Sequence, residues 1–313
     1  MELGALVVTQ NRNTEQMESS AWPVLGRTVL DQWVERVQTL GVGTLSVVDR
    51  EASPAGRVQT MMDWAKGGVE RILLILLGSY AEVDFADLIR FHQQGQNQVT
   101  RVFDSLGPLG VSLLDRQTIL KNGLAGNECA ATKHSSRYDF LGYSVRLSSP
   151  GAYRTLVEDA LEGRCGIQPN GLEAGDNVWI HPTAHIDPSV RLERSCYIGP
   201  YSRLNPGVVI GAGSSVEHNC DIDIGTTLER ASLLPDTYLA PGLYVRNSVV
   251  DGTQLAHLDR GVLVDLGSLR LASRRKPIAR YSPRTVTLDK GLDNAGVTLP
   301  VAKRSANQTI YPN

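Results

Sequence analysis

Three sets of side chains in this sequence carry chemistry beyond packing. The first is the histidines His181, His185, His218 and His257, any of which suits the removal of a proton from a hydroxyl or amine. His181 and His185 stand in an H-x3-H spacing with His218 far along the chain, which does not gather three imidazoles on one metal. Exposed turn positions also tolerate histidine without any function. The second set is Arg12, Arg27 and Arg146, whose planar forks suit a phosphate held without metal, and which read equally as solvated surface residues. The third is Cys129, Cys165, Cys196 and Cys220, which show neither a CxxC nor a metal-type pairing, so free thiols used for packing are expected.

The elements that must position these residues differ between the two halves of the chain. A length of 313 residues allows a sizeable core and points to two domains. A formal net charge of −2 gives no reason to expect a polyanionic partner. The longest apolar run, Ile72 to Leu77, is too short to span a bilayer and reads as a buried strand. Met1-Glu2-Leu3-Gly4 is not the start of a signal peptide, so a cytoplasmic protein with no membrane partner is expected.

Between Val178 and Leu234 an aliphatic residue recurs at every sixth position: Ile180, Ile186, Leu192, Ile198, Leu204, Ile210, Val216, Ile222, Leu228 and Leu234. Four residues after each comes a small or compact one, from Ala184 and Val190 through Cys196, Ser202 and Ser214 to Cys220, Thr226 and Ser232. Neither a helix, at about 3.6 residues per turn, nor an alternating strand repeats in this way. A three-sided coil does, with one short strand and one corner per hexad and the aliphatic residue pointing inward. After Leu234 the pattern continues one position earlier, through Leu233, Leu239 and Val245, giving about four to five coils. This run resembles the hexapeptide-repeat left-handed parallel β-helix, a β-solenoid. Such prisms occur in acyltransferases, in carbonic anhydrases and behind many nucleotidyltransferase domains. The histidine spacing does not resemble the carbonic anhydrase pattern.

Ahead of the coil, strand-like and helix-like segments alternate. Leu3–Val8, Leu45–Val48 and Ile72–Leu77 read as strands, and Thr28–Leu40, Val58–Gly67 and Phe85–Gln94 as helices. That alternation predicts a parallel sheet with helices on both faces and ligands beyond the carboxyl ends of the strands. In this order Trp22-Pro23-Val24-Leu25-Gly26-Arg27, the run Leu77-Gly78-Ser79-Tyr80-Ala81-Glu82-Val83-Asp84 and the run Leu141-Gly142-Tyr143-Ser144-Val145-Arg146 resemble three motifs of the sugar-phosphate nucleotidyltransferases. The resemblance covers roughly residues 1–260 and implies a Rossmann-like nucleotidyltransferase domain.

The departures from that family decide the expectation for chemistry. Its glycine-rich triphosphate loop is replaced by Thr9-Gln10-Asn11-Arg12-Asn13-Thr14, which has no glycine. Ser79 and Arg146 stand where the family places its two magnesium-binding aspartates. Serine brings no charge and arginine repels the cation, which leaves Glu82 and Asp84 as substitute metal ligands; Asp84 reads equally as the N-cap of the helix beginning at Phe85. The resemblance therefore implies a catalytically degenerate protein that binds a nucleotide sugar or sugar phosphate, with Gln10, Arg12, Arg27, Gly78, Ser79 and Arg146 as candidate contacts. No cofactor is expected, and magnesium only if turnover survives. Two other activities follow from the same resemblances: an active pyrophosphorylase with a diverged metal site, and a hexapeptide acyltransferase using a coil histidine.

The expected division is an α/β domain over 1–163, a linker over 164–177, the β-helix over 178–266 and a tail over 267–313. Tyr153–Glu162 reads as the last helix of the first part, ended by Gly163, and Val262–Leu266 as one more strand-like run. The basic cluster from Arg270 to Arg280 lacks interleaved aromatics, so no nucleic-acid partner is expected. A homo-oligomer, or a complex with an active homologue, is implied by the resemblance.

Overall fold

The computed structural model describes residues 2–9, 22–49, 54–122, 135–276 and 297–300. Gln10, Arg12 and Cys129 lie outside the described residues, as does most of the segment after Lys276.

The first half is a mixed α/β layer. Strands β1 (Leu3–Thr9), β4 (Thr44–Asp49) and β5 (Arg71–Leu76) pair in parallel in the order β4-β1-β5. Between β1 and β4 lie a hairpin, β2 (Pro23–Val24) and β3 (Arg27–Thr28), and helix α1 (Val29–Thr39). Thr28 starts α1 as one partner of a capping box with Asp31, satisfying donors that the first turn leaves open. The apolar stripe of the helix, including Val29, Trp33 and Val37, packs with Ala5, Val7, Leu45 and Ile75 on one face of the sheet. Helix α2 (Pro54–Lys66) covers the other face, where Met61 and Ala65 meet Leu6, Val8, Ile72 and Leu74. Side chains such as Trp33 and Leu74, fully withdrawn from water, each stabilise the layer by about 1.5–3 kcal/mol.

The sheet is not purely parallel, contrary to expectation. After the short strand β6 (Ser79–Ala81) and helix α3 (Phe85–Gln94), β7 (Val99–Asp104) and β8 (Gly107–Asp115) form a hairpin, and β8 runs antiparallel to β5. The Asp104 carboxylate accepts from the N–H groups of Leu106 and Gly107 and holds this turn. Helix α4 (Arg116–Asn122) follows, and β9 (Ser135–Asp139) adds in parallel to β7. At the opposite edge Val297–Pro300 pairs antiparallel with β4. Strand β10 (Ser144–Arg146) pairs with β6, and helix α5 (Pro150–Leu161) begins at the N-cap Ser149.

From Val178 the chain winds through short parallel strands on three faces, an arrangement compatible with a β-helix. Strands pair with those 18 residues later at first, as in Arg191↔Val209 and Tyr197↔Ser215. The small residues at the corners are buried, and Ser202, Ser214 and Thr226 use their hydroxyls to satisfy the backbone of the next coil. Cys196 and Cys220 sit among them as buried free thiols.

The hexad register holds through Leu228 and then slips. Val216 pairs with Leu233, 17 residues on, and Leu233 pairs with Val250 after another 17. One corner has lost a residue twice, each time around a non-glycine residue at positive φ, Arg230 and Asn247. Because strand side chains alternate between faces, the slip puts Ala231 and Leu233 inside and turns Ser232 and Leu234 outward. The hexad pattern places both in the core series, and the shortened corner moves them out of it. The parallel run ends at Ser248–Asp251; Gln254–His257 and Val262–Asp265 continue the sheet antiparallel, and Ala272–Arg274 pairs antiparallel with Thr237–Leu239. Residues 164–177 are packed rather than a bare tether, since Cys165 and Ile167 are buried in the first half's core and Leu172–Glu173 pairs with Val178–Ile180.

Candidate functional site

A pocket of roughly 330 Å³ opens past the carboxyl ends of β1 and β5, where the chain order reverses across the sheet. Thr9 ends β1 at its wall, Gly78 and Ser79 follow β5, Leu109 and Gly110 come from β8, and Arg146 and Ser148 from the ribbon and its exit. The tight approach of β8 needs Gly110, which has φ +76° and would drive a Cβ into the carbonyl of Leu76.

Two of the three motifs meet here. The β6–β10 ribbon pairs Arg146 with Ser79, Val145 with Tyr80 and Ser144 with Ala81. The Leu147 N–H donates to the Gly78 carbonyl and the Glu82 N–H to the Tyr143 carbonyl, so Arg146 and Ser79 form a non-hydrogen-bonded pair, the kind whose side chains lie closest. The Ser79 hydroxyl donates to the Leu109 carbonyl at 2.9 Å, and the Trp33 indole N–H donates to the Ser79 carbonyl at 3.0 Å.

Arg146 is anchored at the rim. Its guanidinium donates to Asp104 at 2.5 Å and to the Pro108 carbonyl at 3.3 Å. Asp104 is also bonded by Ser144 Oγ. Partial burial pushes the Asp104 carboxyl up, but the Leu106 N–H, the Ser144 hydroxyl and the Arg146 charge together hold it below the usual carboxylate range. Two contacts do not exhaust a fork with five donors, so Arg146 can still turn N–H groups toward an anion.

The other candidates lie elsewhere. Arg27 makes an ion pair with Glu35 at 2.6 Å, both half exposed, and does not line the pocket. Glu82 accepts from the Tyr80 hydroxyl at 3.0 Å and from the Gly166 N–H. Asp84 caps α3, accepting from the Ala86 and Asp87 N–H groups. Neither carboxylate lines the pocket, and no cluster of three or more metal-ligating side chains occurs among the described residues. Ser79 supplies no negative charge and Arg146 is itself a cation, so this pair does not fit a magnesium ion.

The Trp22–Arg27 motif does something the sequence did not suggest. Its Leu25-Gly26 turn, both residues at positive φ, points two N–H groups at Glu217 of the coil, and each carboxylate oxygen accepts one at 2.9 Å. Gly26 is obligatory, because a Cβ there would collide with the Tyr197 hydroxyl and Asn170. Burial raises the Glu217 pKa to about 8 against the pull of the Gly26 and Leu25 N–H groups. Beside it Tyr153 stacks edge-on with Trp22 and donates to the Pro23 carbonyl. Arg154, almost fully buried, bonds Glu158, Ser232 and the Gly213 carbonyl.

No three of the histidines form a metal-binding group among the described residues. The ring of His181 contacts Thr183, whose backbone N–H donates to Nδ1, and burial lowers its pKa. Burial also lowers that of His218, partly offset by Asp236. His185 is exposed on a strand, and His257 lies in the first antiparallel strand after the coil.

No family model matches the chain. Over 39 residues it is 46% identical to an acyl-[acyl-carrier-protein]–UDP-N-acetylglucosamine O-acyltransferase of Saccharophagus degradans. The match spans 12% of this chain and 15% of that relative. Among the described residues no helix is long and apolar enough to cross a membrane.

Proposed function

We propose that the pocket binds a sugar phosphate or nucleotide sugar without a metal ion, and that the chain is a binding or regulatory subunit rather than a working pyrophosphorylase. The observation that carries this reading is the β6–β10 ribbon, which sets Arg146 opposite Ser79 at the mouth of a pocket beyond β1 and β5. A guanidinium supplies the charge there that a carboxylate-bound cation would otherwise supply to a phosphate. A left-handed coil, cytoplasmic location and association with itself or with an active homologue belong to the same proposal.

The test is titration calorimetry with nucleotide sugars, sugar 1-phosphates and nucleoside triphosphates, with magnesium and with a chelator. Binding indifferent to magnesium and weakened roughly tenfold or more in Arg146→Ala is the expected result. Magnesium-dependent release of pyrophosphate from a triphosphate and a sugar 1-phosphate would overturn it.

A second reading rests on the short match to an acyltransferase whose name includes a nucleotide sugar, UDP-N-acetylglucosamine. In it a coil histidine, His181 or His218, is the general base, and burial lowers the pKa of both, which favours the neutral ring a base requires. Acyl transfer from an acyl carrier to UDP-N-acetylglucosamine, abolished in His181→Ala or His218→Ala, would put this reading first.

A further inference from the structure

The pocket sets Ser79 of β6 opposite Arg146 of β10, and each of the two is tied to the coil through a different helix. On the Ser79 side the helix is α1. Near its middle Trp33, 1% exposed, donates its indole N–H to the Ser79 carbonyl. The helix starts at the cap Thr28, two residues after Gly26, whose N–H is held together with that of Leu25 by Glu217 of the coil.

On the Arg146 side the helix is α5. The chain passes from Arg146 through Ser148, also at the pocket, to the cap Ser149. One turn further on, Tyr153 donates to the Pro23 carbonyl, and Arg154 donates to Ser232 and the Gly213 carbonyl of the coil. Pro23 belongs to the same hairpin that Glu217 holds, so the two ties converge. Val24, Leu25, Trp33 and Tyr153 share one buried cluster. A close-packed cluster transmits displacement, so a shift of the hairpin passes to both helices.

We propose that Glu217 is a positioning residue for the pocket: by holding the Leu25-Gly26 turn against the coil, it sets the placement of Ser79 and Arg146 and thereby the affinity for an anion. Its effect on binding rests on the proposed reading of the pocket, whereas its effect on the surroundings of Ser79 does not. The coupling is reciprocal, so a ligand that draws Ser79 and Arg146 together tightens the turn on Glu217.

Glu217→Gln tests this, because it keeps the side chain's shape but turns one acceptor oxygen into a donor, leaving one of the two turn N–H groups without its partner. Titration of the folded full chain with inorganic phosphate and with UDP-N-acetylglucosamine should show affinity reduced about fivefold. The Nε1–H resonance of Trp33, assigned through Trp33→Phe, should move, and that of Trp64, packed on the opposite face of the sheet, should stay. Tyr153→Phe removes only the hydroxyl tie to Pro23 and should move both readouts the same way by less; it carries the test should Glu217→Gln fail to fold. Val245→Ala opens a cavity in the coil core on another face and separates positioning from general instability. Its melting temperature should fall while the affinity and the Trp33 resonance stay as in the wild type. An unmoved Trp33 resonance or an unchanged affinity in Glu217→Gln would overturn the inference, as would a Val245→Ala variant that binds as weakly. If the wild type bound neither probe, the pocket reading would fall and the Trp33 resonance alone would decide the inference.

Discussion

Arg146 and Arg154 lie eight residues apart, yet they serve different ends. The Arg146 side chain is 28% exposed, held by Asp104 at the lip of a pocket, with donors left to offer a ligand. That of Arg154 is 3% exposed and committed to Glu158, Ser232 and a carbonyl at the seam between the α/β layer and the coil. Glu217 belongs with Arg154: an ionisable group out of water, satisfied by two backbone N–H groups. Groups at the pocket can be exchanged with modest structural cost, because water can replace lost partners. Groups at the seam cannot, because a buried donor or acceptor left alone keeps its full desolvation penalty.

Replacing Glu217 by alanine should have the largest effect. It strands the Leu25 and Gly26 N–H groups and opens a void, so chemical denaturation should read a loss of about 3 kcal/mol or more. A loss below about 1 kcal/mol would mean that the seam is wet and its contrast with the pocket false. The pH dependence sharpens the same point. The folded Glu217 pKa, about 8, lies above its unfolded value, so the folded state holds this proton more tightly. As pH rises from the unfolded carboxylate range to about 8, the unfolded chain sheds the proton first and stability falls; below that window the group is neutral in both states. Stability measured against pH should therefore slope downward more in the wild type than in Glu217→Gln.

At the pocket, Arg146→Ala should weaken anion binding roughly tenfold or more by calorimetry while costing under about 1 kcal/mol of stability. The opposite pattern, intact binding with a large loss of stability, would make Arg146 a seam residue in disguise. Asp84→Ala should show the smallest change, about 1 kcal/mol from a lost helix cap, with ligand binding unaltered. Altered binding would return Asp84 to the site.

What the sequence made legible was local. The hexads announced the coil because inward residues recur at fixed spacing, and Asp84 lies where its helix begins because caps act within one turn; the helix expected from Tyr153 begins three residues earlier, at Pro150 after the cap Ser149. The meeting of Ser79 with Arg146 was visible only as two departures from a motif, not as a register. The β7–β8 hairpin escaped because its turn, Ser105-Leu106, lacks the usual glycine or asparagine signal and relies on Asp104 instead. Glu217 escaped for a deeper reason. Its partners lie about 190 residues away and are backbone groups, which leave no trace in side-chain pattern, so a glutamate in a corner reads as solvated. The register slip is legible in Leu233, Leu239 and Val245, but its effect of turning Ser232 and Leu234 toward Arg154 and the layer is not.

That slip has a bearing on how the chain can change length. Along the stack each coil pairs with the coils before and after it, so a whole coil duplicated near Asp251, beyond Glu217 and Ser232, would extend the stack and leave the seam intact. A single residue added at Arg230 would rebuild the longer corner of the preceding coils, and the strands beyond it could keep their inward residues. The two shortened corners, at Arg230 and Asn247, each lost one residue while Leu233, Leu239, Val245 and Val250 stayed inside. Insertions and deletions in this protein should therefore accumulate in whole coils or at corners, not within the strands between them.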